Sequence, residues 1–162
     1  MSQADFFFKI TNVKGESTDD KHKGEIEVES WSFGGNNAAS FSSGGGGGAG
    51  KVALQDLHFT KKTDMASVKL LVAMATGEHL PTATLTCRKA GKDQQEYLVI
   101  TLSDTMVSSY QTSGSGGSGA LPMEQISIAY SKIEVKYKEQ KPDGSLGGEV
   151  VGGWDLKANK KV

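Results

Sequence analysis

The chain has 162 residues, a formal net charge of −1 and a single cysteine, Cys87, which suits one domain with a sizeable core and excludes an intrachain disulfide. So small a net charge supplies no basic field for nucleic acid or anionic lipid, and no apolar run nears the ~20 residues of a bilayer span. Met1 to Asp5 holds no basic region and Phe6-Phe7-Phe8 is too short for a signal-peptide core, so any export takes another route.

In chain order, Phe6, Phe8 and Ile10 alternate with Phe7 and Lys9, the period of a half-buried strand. Gly15 to Gly24 is polar and reads as a loop. Glu25, Glu27 and Glu29 then share one face, opposite Ile26 and Val28. At Trp31 the pattern inverts, and Trp31 and Phe33 join the acids' face. A bulge near Ser30, or a strand that changes sheet, produces such an inversion. Residues 42–64 read SSGGGGGAGKVALQDLHFTKKTD, a glycine run followed by a third strand over Val52 to Thr60. A helix is predicted from Met65 to Thr76, capped by Asp64 and stopped by Gly77. Its expected buried face is Met65, Val68, Leu71, Val72 and Ala75; Met65 and Met74 read as packing, not as a metal or cofactor box.

Further strands are predicted over Thr82 to Arg88 and Tyr97 to Leu102. The second of these is apolar on both faces, the mark of a central or interface-covered strand. Gly114 to Gly119 reads as a mobile hairpin loop. Ile126, Ile128 and Tyr130 alternate inward, then Ile133, Val135 and Tyr137 do; the parity slips once, which predicts a bulge near Ser131-Lys132. Strands with such interruptions suit a curved or barrel-like sheet.

The sharpest chemical motif is a near phosphate loop. Gly45, Gly50 and Lys51 fit the start of G-x-x-x-x-G-K-[ST], but Val52 stands where a hydroxyl must hold magnesium, and no helix pattern follows. The three histidines, His22, His58 and His79, make no metal-binding spacing. His22 reads as part of a solvated loop, and His58 as facing away from Leu57 and Phe59. Glu25, Glu27 and Glu29 read as an exposed face and Cys87 as a small buried residue. No catalytic, cofactor or metal set emerges.

The glycine tract and its following strand closely resemble those of the haemolysin-coregulated proteins (Hcp), the tube proteins of the bacterial type VI secretion system. Phe8-Lys9-Ile10, Val13 to Ser17, Ser30 to Gly34, Cys87 to Gly91, Glu96 to Leu102 and Gly153 to Leu156 resemble further family segments, in order along nearly the whole chain. The resemblance implies a mainly β, β-barrel-like fold of two sheets with one flanking α-helix, a single tube domain over residues 1–162. It implies six copies in a hexameric ring, rings stacked into a tube inside a contractile sheath with a spike at its tip, and a lumen that holds small effector proteins. It implies a structural subunit, not an enzyme, cytoplasmic before firing and then secreted without a signal peptide, with no cofactor, nucleic acid or membrane insertion.

By the same resemblance, Phe41, Ser42, Gly44, Gly45, Gly46, Gly47, Gly48 and Lys51 belong to a loop that reaches the next ring. Ser30 and Ser32 lie on a strand like the family's inner wall. The doubly apolar Tyr97, Leu98, Val99 and Ile100 are candidates for burial by a neighbouring subunit. Three other readings stay open: a phage tail-tube protein, a monomeric β-sandwich binding module, and a nucleotide enzyme using Lys51.

Overall fold

One long strand belongs to both sheets of this protein. A computed structural model describes residues 4–38, 51–89, 94–117 and 120–162. Its elements are β1 (Ala4–Ile10), β2 (Ile26–Val28), β3 (Ser30–Ser32), β4 (Gly35–Asn37), β5 (Val52–Leu54), β6 (Leu57–Lys62), α1 (Ala66–Thr76), β7 (Leu80–Lys89), β8 (Glu96–Ser113), β9 (Met123–Ala129), β10 (Lys132–Gln140), β11 (Leu146–Asp155) and β12 (Lys160–Lys161). The first sheet runs β12-β11-β10-β8-β7-β1-β2; the second joins β3, β6, β9 and the end of β8; β4 and β5 form a separate ribbon. The first half of β8 pairs with β7 and β10, the second half with β9. Between the halves, Asp104 takes φ 53 and the register slips between Val107 and Ser109. A left-handed residue and a bulge turn the strand from one sheet into the other.

The two parity changes in the sequence mark the other crossings. Between β2 and β3 the chain leaves the first sheet at Glu29, whose amide donates to the Thr60 carbonyl of the second sheet. The slip near Ser131 is the same event in reverse: β9 lies in the second sheet and β10 in the first. It is a change of sheet where the sequence predicted a bulge. The expected barrel-like closure is not realised. β2 and β3 follow one another along the chain and form no ladder with each other, so both remain margins. The predicted strand over Val52 to Thr60 is likewise split into β5 and β6 by Gln55 and Asp56.

The core lies between the sheets. Phe8 from the first sheet and Phe59 from the second meet edge-on with ring centroids 4.9 Å apart. Ile26, Leu57, Leu80, Leu85, Ile100, Leu102, Ile126 and Ile128 surround them, all fully buried. Each such side chain contributes about 1.5–3 kcal/mol on burial.

Helix α1 forms where predicted but turns its expected inner face outward. Met65, Val68, Leu71 and Val72 are 44–70% exposed, while Ala66, Ser67, Leu70 and Ala73 are buried. The physical reason lies at the N-terminus. Asp64 accepts from the Ala66 amide at 2.9 Å, and Ser67 donates to Glu124 at 2.8 Å, which rolls the Ser67 side inward. Two alanines then allow close approach, and Leu70, with the half-buried Met74 one turn on, supplies the large anchor. The helix is apolar nearly all round, so its period did not choose between the two faces. Gly77 ends it in the left-handed conformation, φ 67, as predicted.

Candidate functional site

The outer face of the second sheet is a grid of small polar side chains. Cross-strand pairing sets Ser30, Thr60, Gln125 and Gln111 in one row across β3, β6, β9 and β8. Ser32, His58, Ser127 and Ser109 form the next row. Alternation sends Trp31, Phe59 and Ile126 to the other side, into or against the core. The rows bond across the strands: Ser30 Oγ lies 2.6 Å from Thr60 Oγ1, and His58 Nδ1 meets Ser127 Oγ. The grid floors an open cleft of about 370 Å³. Its eight polar residues include no carboxylate, lysine or arginine; His58 alone can take a charge. Such a face offers neutral donors and acceptors to water or to a passing surface. His58 faces away from Leu57 and Phe59, as expected.

The sequence-predicted residues fall in three places. Ser30 and Ser32 are exposed members of the grid. Lys51 is exposed just ahead of β5, which is a strand and not the helix a phosphate loop opens. Phe41, Ser42, Gly44, Gly45, Gly46, Gly47 and Gly48 lie outside the described residues. The run Tyr97 to Ile100 belongs to the central strand β8, paired on both sides. Ile100 is 1% exposed inside its own core and has no surface left for a neighbour. Tyr97, Leu98 and Val99 are half-buried.

Leu98 begins an apolar row that leaves the core. On one face of the first sheet, Cys87, Leu98, Tyr137 and Val150 lie side by side on β7, β8, β10 and β11. Cys87 is fully buried, but Tyr137 is 46% and Val150 69% exposed. The core face of the sheet thus runs past its own cover. Burial pushes the Cys87 thiol up to about 11, which keeps it protonated and inert.

Two polar networks escaped the sequence reading. Lys61 is completely buried, with Nζ 2.7 Å from both Asp64 Oδ1 and Glu124 Oε1 and 2.9 Å from Ser67 Oγ. Burial pushes the Glu124 carboxyl up, but hydrogen bonds from Lys61, Tyr110 and Ser67 outweigh it and leave it below its ordinary value. The network ties α1 to β6, β8 and β9. The second network corrects the reading of His22. It is buried, not solvated: its ring stacks on Phe7 at 4.5 Å, with Nδ1 2.9 Å from Glu25 and Nε2 2.7 Å from Glu96. Only a doubly protonated ring donates to both. Arg88 covers Phe7 at 4.7 Å and binds Asp19 through both guanidinium ends, holding that carboxyl down at about 2. Loop residues 14–25 are thereby strapped across the first sheet, and among the described residues no histidine, cysteine and carboxylate group is arranged to hold a metal.

The comparisons with known proteins agree with one another. The family model described as type VI secretion system effector, Hcp, matches residues 7–137. Protein hcp1 of Pseudomonas aeruginosa is 48% identical over 157 residues, 96% of each chain. A solved type six secretion system protein superimposes with a TM-score of 0.94 at 38% identity, covering 99% of this chain and all of that one. Hcp1 from Salmonella typhimurium follows with a TM-score of 0.83 at 36% identity, covering 98% and 99%. Fold and relatives together define a tube protein of type VI secretion, and they do not favour the phage or binding-module readings. The chain belongs to the Hcp family.

Proposed function

We propose that six copies close into a ring with the polar grid of the second sheet facing the lumen. The observation that carries this reading is the grid itself. Seven small or amide-bearing polar side chains and the His58 imidazole, on four adjacent strands, make a poor packing surface and a good wet lining. The half-covered row from Leu98 through Tyr137 to Val150 has the opposite character and suits burial between copies. Val135 lies half-buried on the same face of β10. Tyr97 and Val99 border this region, and the interface expectation narrows to Tyr97, Leu98 and Val99.

Rings then stack through the loop of Phe41 to Lys51, and the tube, driven by a contractile sheath behind a spike, carries small effectors past Ser30 and Ser32. The subunit acts structurally, needs no cofactor, and leaves the cytoplasm without a signal peptide. Ordering a glycine-rich loop costs roughly 1–2 kcal/mol per residue, so single loop contacts are weak and six per ring add by multivalency.

Light scattering with negative-stain imaging tests the ring. Six copies of 17.1 kDa, about 103 kDa, are expected in uniform rings; a monomer at every concentration overturns the reading. Ser32→Trp tests the lining: rings form normally but retain less cargo. Retention equal to the parent's removes the assignment. Alanine at Gly45 to Gly48 alters stacking and leaves the rings intact.

A further inference from the structure

We infer that His22 is a pH-sensitive latch: as a doubly protonated ring it clamps the loop of residues 14–25 onto the first sheet, and as a neutral ring it lets its tie to β8 go. Every group involved lies within one chain, so the inference stands apart from the ring reading.

The loop is closed on itself by backbone bonds. The Gly15 amide donates to the Gly24 carbonyl, the Gly24 amide to Ser17 and the Ser17 amide to Glu25. Among the described residues, its polar ties to the rest of the chain are made by side chains. Glu16 accepts from the Met65 amide, just ahead of α1, at 3.0 Å. Arg88 on β7 grips Asp19, with Nη1 2.9 Å from Oδ2. His22 stacks on Phe7 of β1 with ring planes 7° apart, and its Nε2 lies 2.7 Å from Glu96 at the start of β8. At its other nitrogen, Nδ1, stands Glu25, 2.9 Å away.

Two carboxylates on opposite edges of one buried imidazole set the chemistry. A carboxylate only accepts, so both ring nitrogens must carry a proton to serve both. A neutral ring has one N–H, and its bare nitrogen then meets a carboxylate lone pair against lone pair. Glu96 is the partner that leaves. Its side chain is 38% exposed, against 13% for Glu25, so water replaces the lost bond most readily there. The ring cannot follow, because it is 7% exposed and held against Phe7. In the rows through Phe7 and Arg88 the sheet presents Asp5, Glu27, Arg88 and Glu96, with Lys136 beyond, 3.7 Å from Glu134. The loop adds Asp19 and Glu25, with Lys21 and Lys23 exposed. Among the described residues no other side chain donates to Glu96. Imidazole is the side chain that changes charge across neutral pH. The closed latch holds one more proton than the open one, so rising pH favours opening. The loop then keeps only its ties through Asp19 and Glu16.

Hydrogen exchange read by mass spectrometry on the full chain tests this between about pH 5.5 and about pH 8.5, with rates corrected for the intrinsic pH dependence of amide exchange. Parent protection across residues 14–25 is expected to fall about five- to tenfold over that range, the worth of one charge-assisted hydrogen bond to a part-exposed partner. Glu96→Gln removes the dependence, because an amide accepts from the cationic ring and donates to the neutral one. His22→Phe keeps the stack on Phe7 and loses both bonds, so its loop exchanges at least as fast as the parent's alkaline form at every pH. Circular dichroism checks the fold of each chain. A parent loop equally protected across the range overturns the inference, since the grip of Arg88 on Asp19 then suffices. So does a Glu96→Gln chain that responds to pH as the parent does, since another group is then titrating.

Discussion

Replacing Lys61 with methionine probes the most consequential contact that the folded chain creates. Lys61 and Glu124 are 0% and 1% exposed, 2.7 Å apart. At an effective dielectric constant near 20 their attraction is about 6 kcal/mol, offset by several kcal/mol of desolvation for each ion. The pair as a whole therefore contributes little, but one partner left alone is costly. Lys61→Met strands a buried Glu124 with only Tyr110, Thr63 and Ser67 as donors among the described residues, and the expected loss is about 3–5 kcal/mol. Glu124→Leu strands the lysine, with Asp64 still beside it, and costs somewhat less. The double variant removes both charges but orphans the Tyr110 hydroxyl, at about 1–3 kcal/mol. It is thus less damaging than the sum of the two singles. Urea unfolding followed by tryptophan fluorescence, at one fixed protein concentration because assembly adds stability, measures all four corners of the cycle. A Lys61→Met loss under 1 kcal/mol, or a double variant equal to the sum, refutes the reasoning.

The helix orientation separates two neighbouring substitutions. Leu70→Ala, at a fully buried position, costs about 2–5 kcal/mol, whereas Val68→Ala, 70% exposed, changes monomer stability by less than about 0.5 kcal/mol; urea midpoints distinguish them. Asp19 is held at about 2, below the ordinary 3.8, by Arg88, so its contribution is complete above 3.8 and lost as pH falls through 2. Asp19→Asn therefore lowers stability at neutral pH and flattens the acid limb, read from unfolding midpoints between pH 2 and 5. Gly153→Ala places a Cβ against the Ile133 carbonyl and 3.0 Å from Glu134 Cα, which forces β10 and β11 apart. The expected cost is about 1–3 kcal/mol, with Trp154 fluorescence shifting as the row beside it opens.

Much of the fold was legible because strand periodicity is local. The alternation of Phe6, Phe8 and Ile10 located β1, and the parity changes at Trp31 and Ser131 marked the places where the chain passes between sheets. Sequence could not say that the second was a crossing and not a bulge, since both shift the pattern by one residue. Ser30 and Ser32 were legible as small polar residues on a strand with an apolar opposite face. The six residues that complete the grid were not, because they come from β6, β8 and β9 and share a surface only through cross-strand register. His22 and Glu96 stand 74 positions apart, and nothing near either one signals the other. Lys61-Lys62 reads as a polar strand end; burial of one and exposure of the other depends on Glu124 arriving from β9.

By itself the sequence determined the element types, the helix stop at Gly77, the buried thiol and the family, since each is written in local pattern or in ordered segments along the chain. Tertiary structure alone decided which side of α1 faces the core, that Ile100 is consumed inside while Tyr137 and Val150 are left uncovered, and that Lys61 is buried while its neighbour Lys62 is exposed. The physical reason is the same for all three. A residue's period fixes its neighbours on a face, but whether that face is covered depends on what the rest of the chain brings to it.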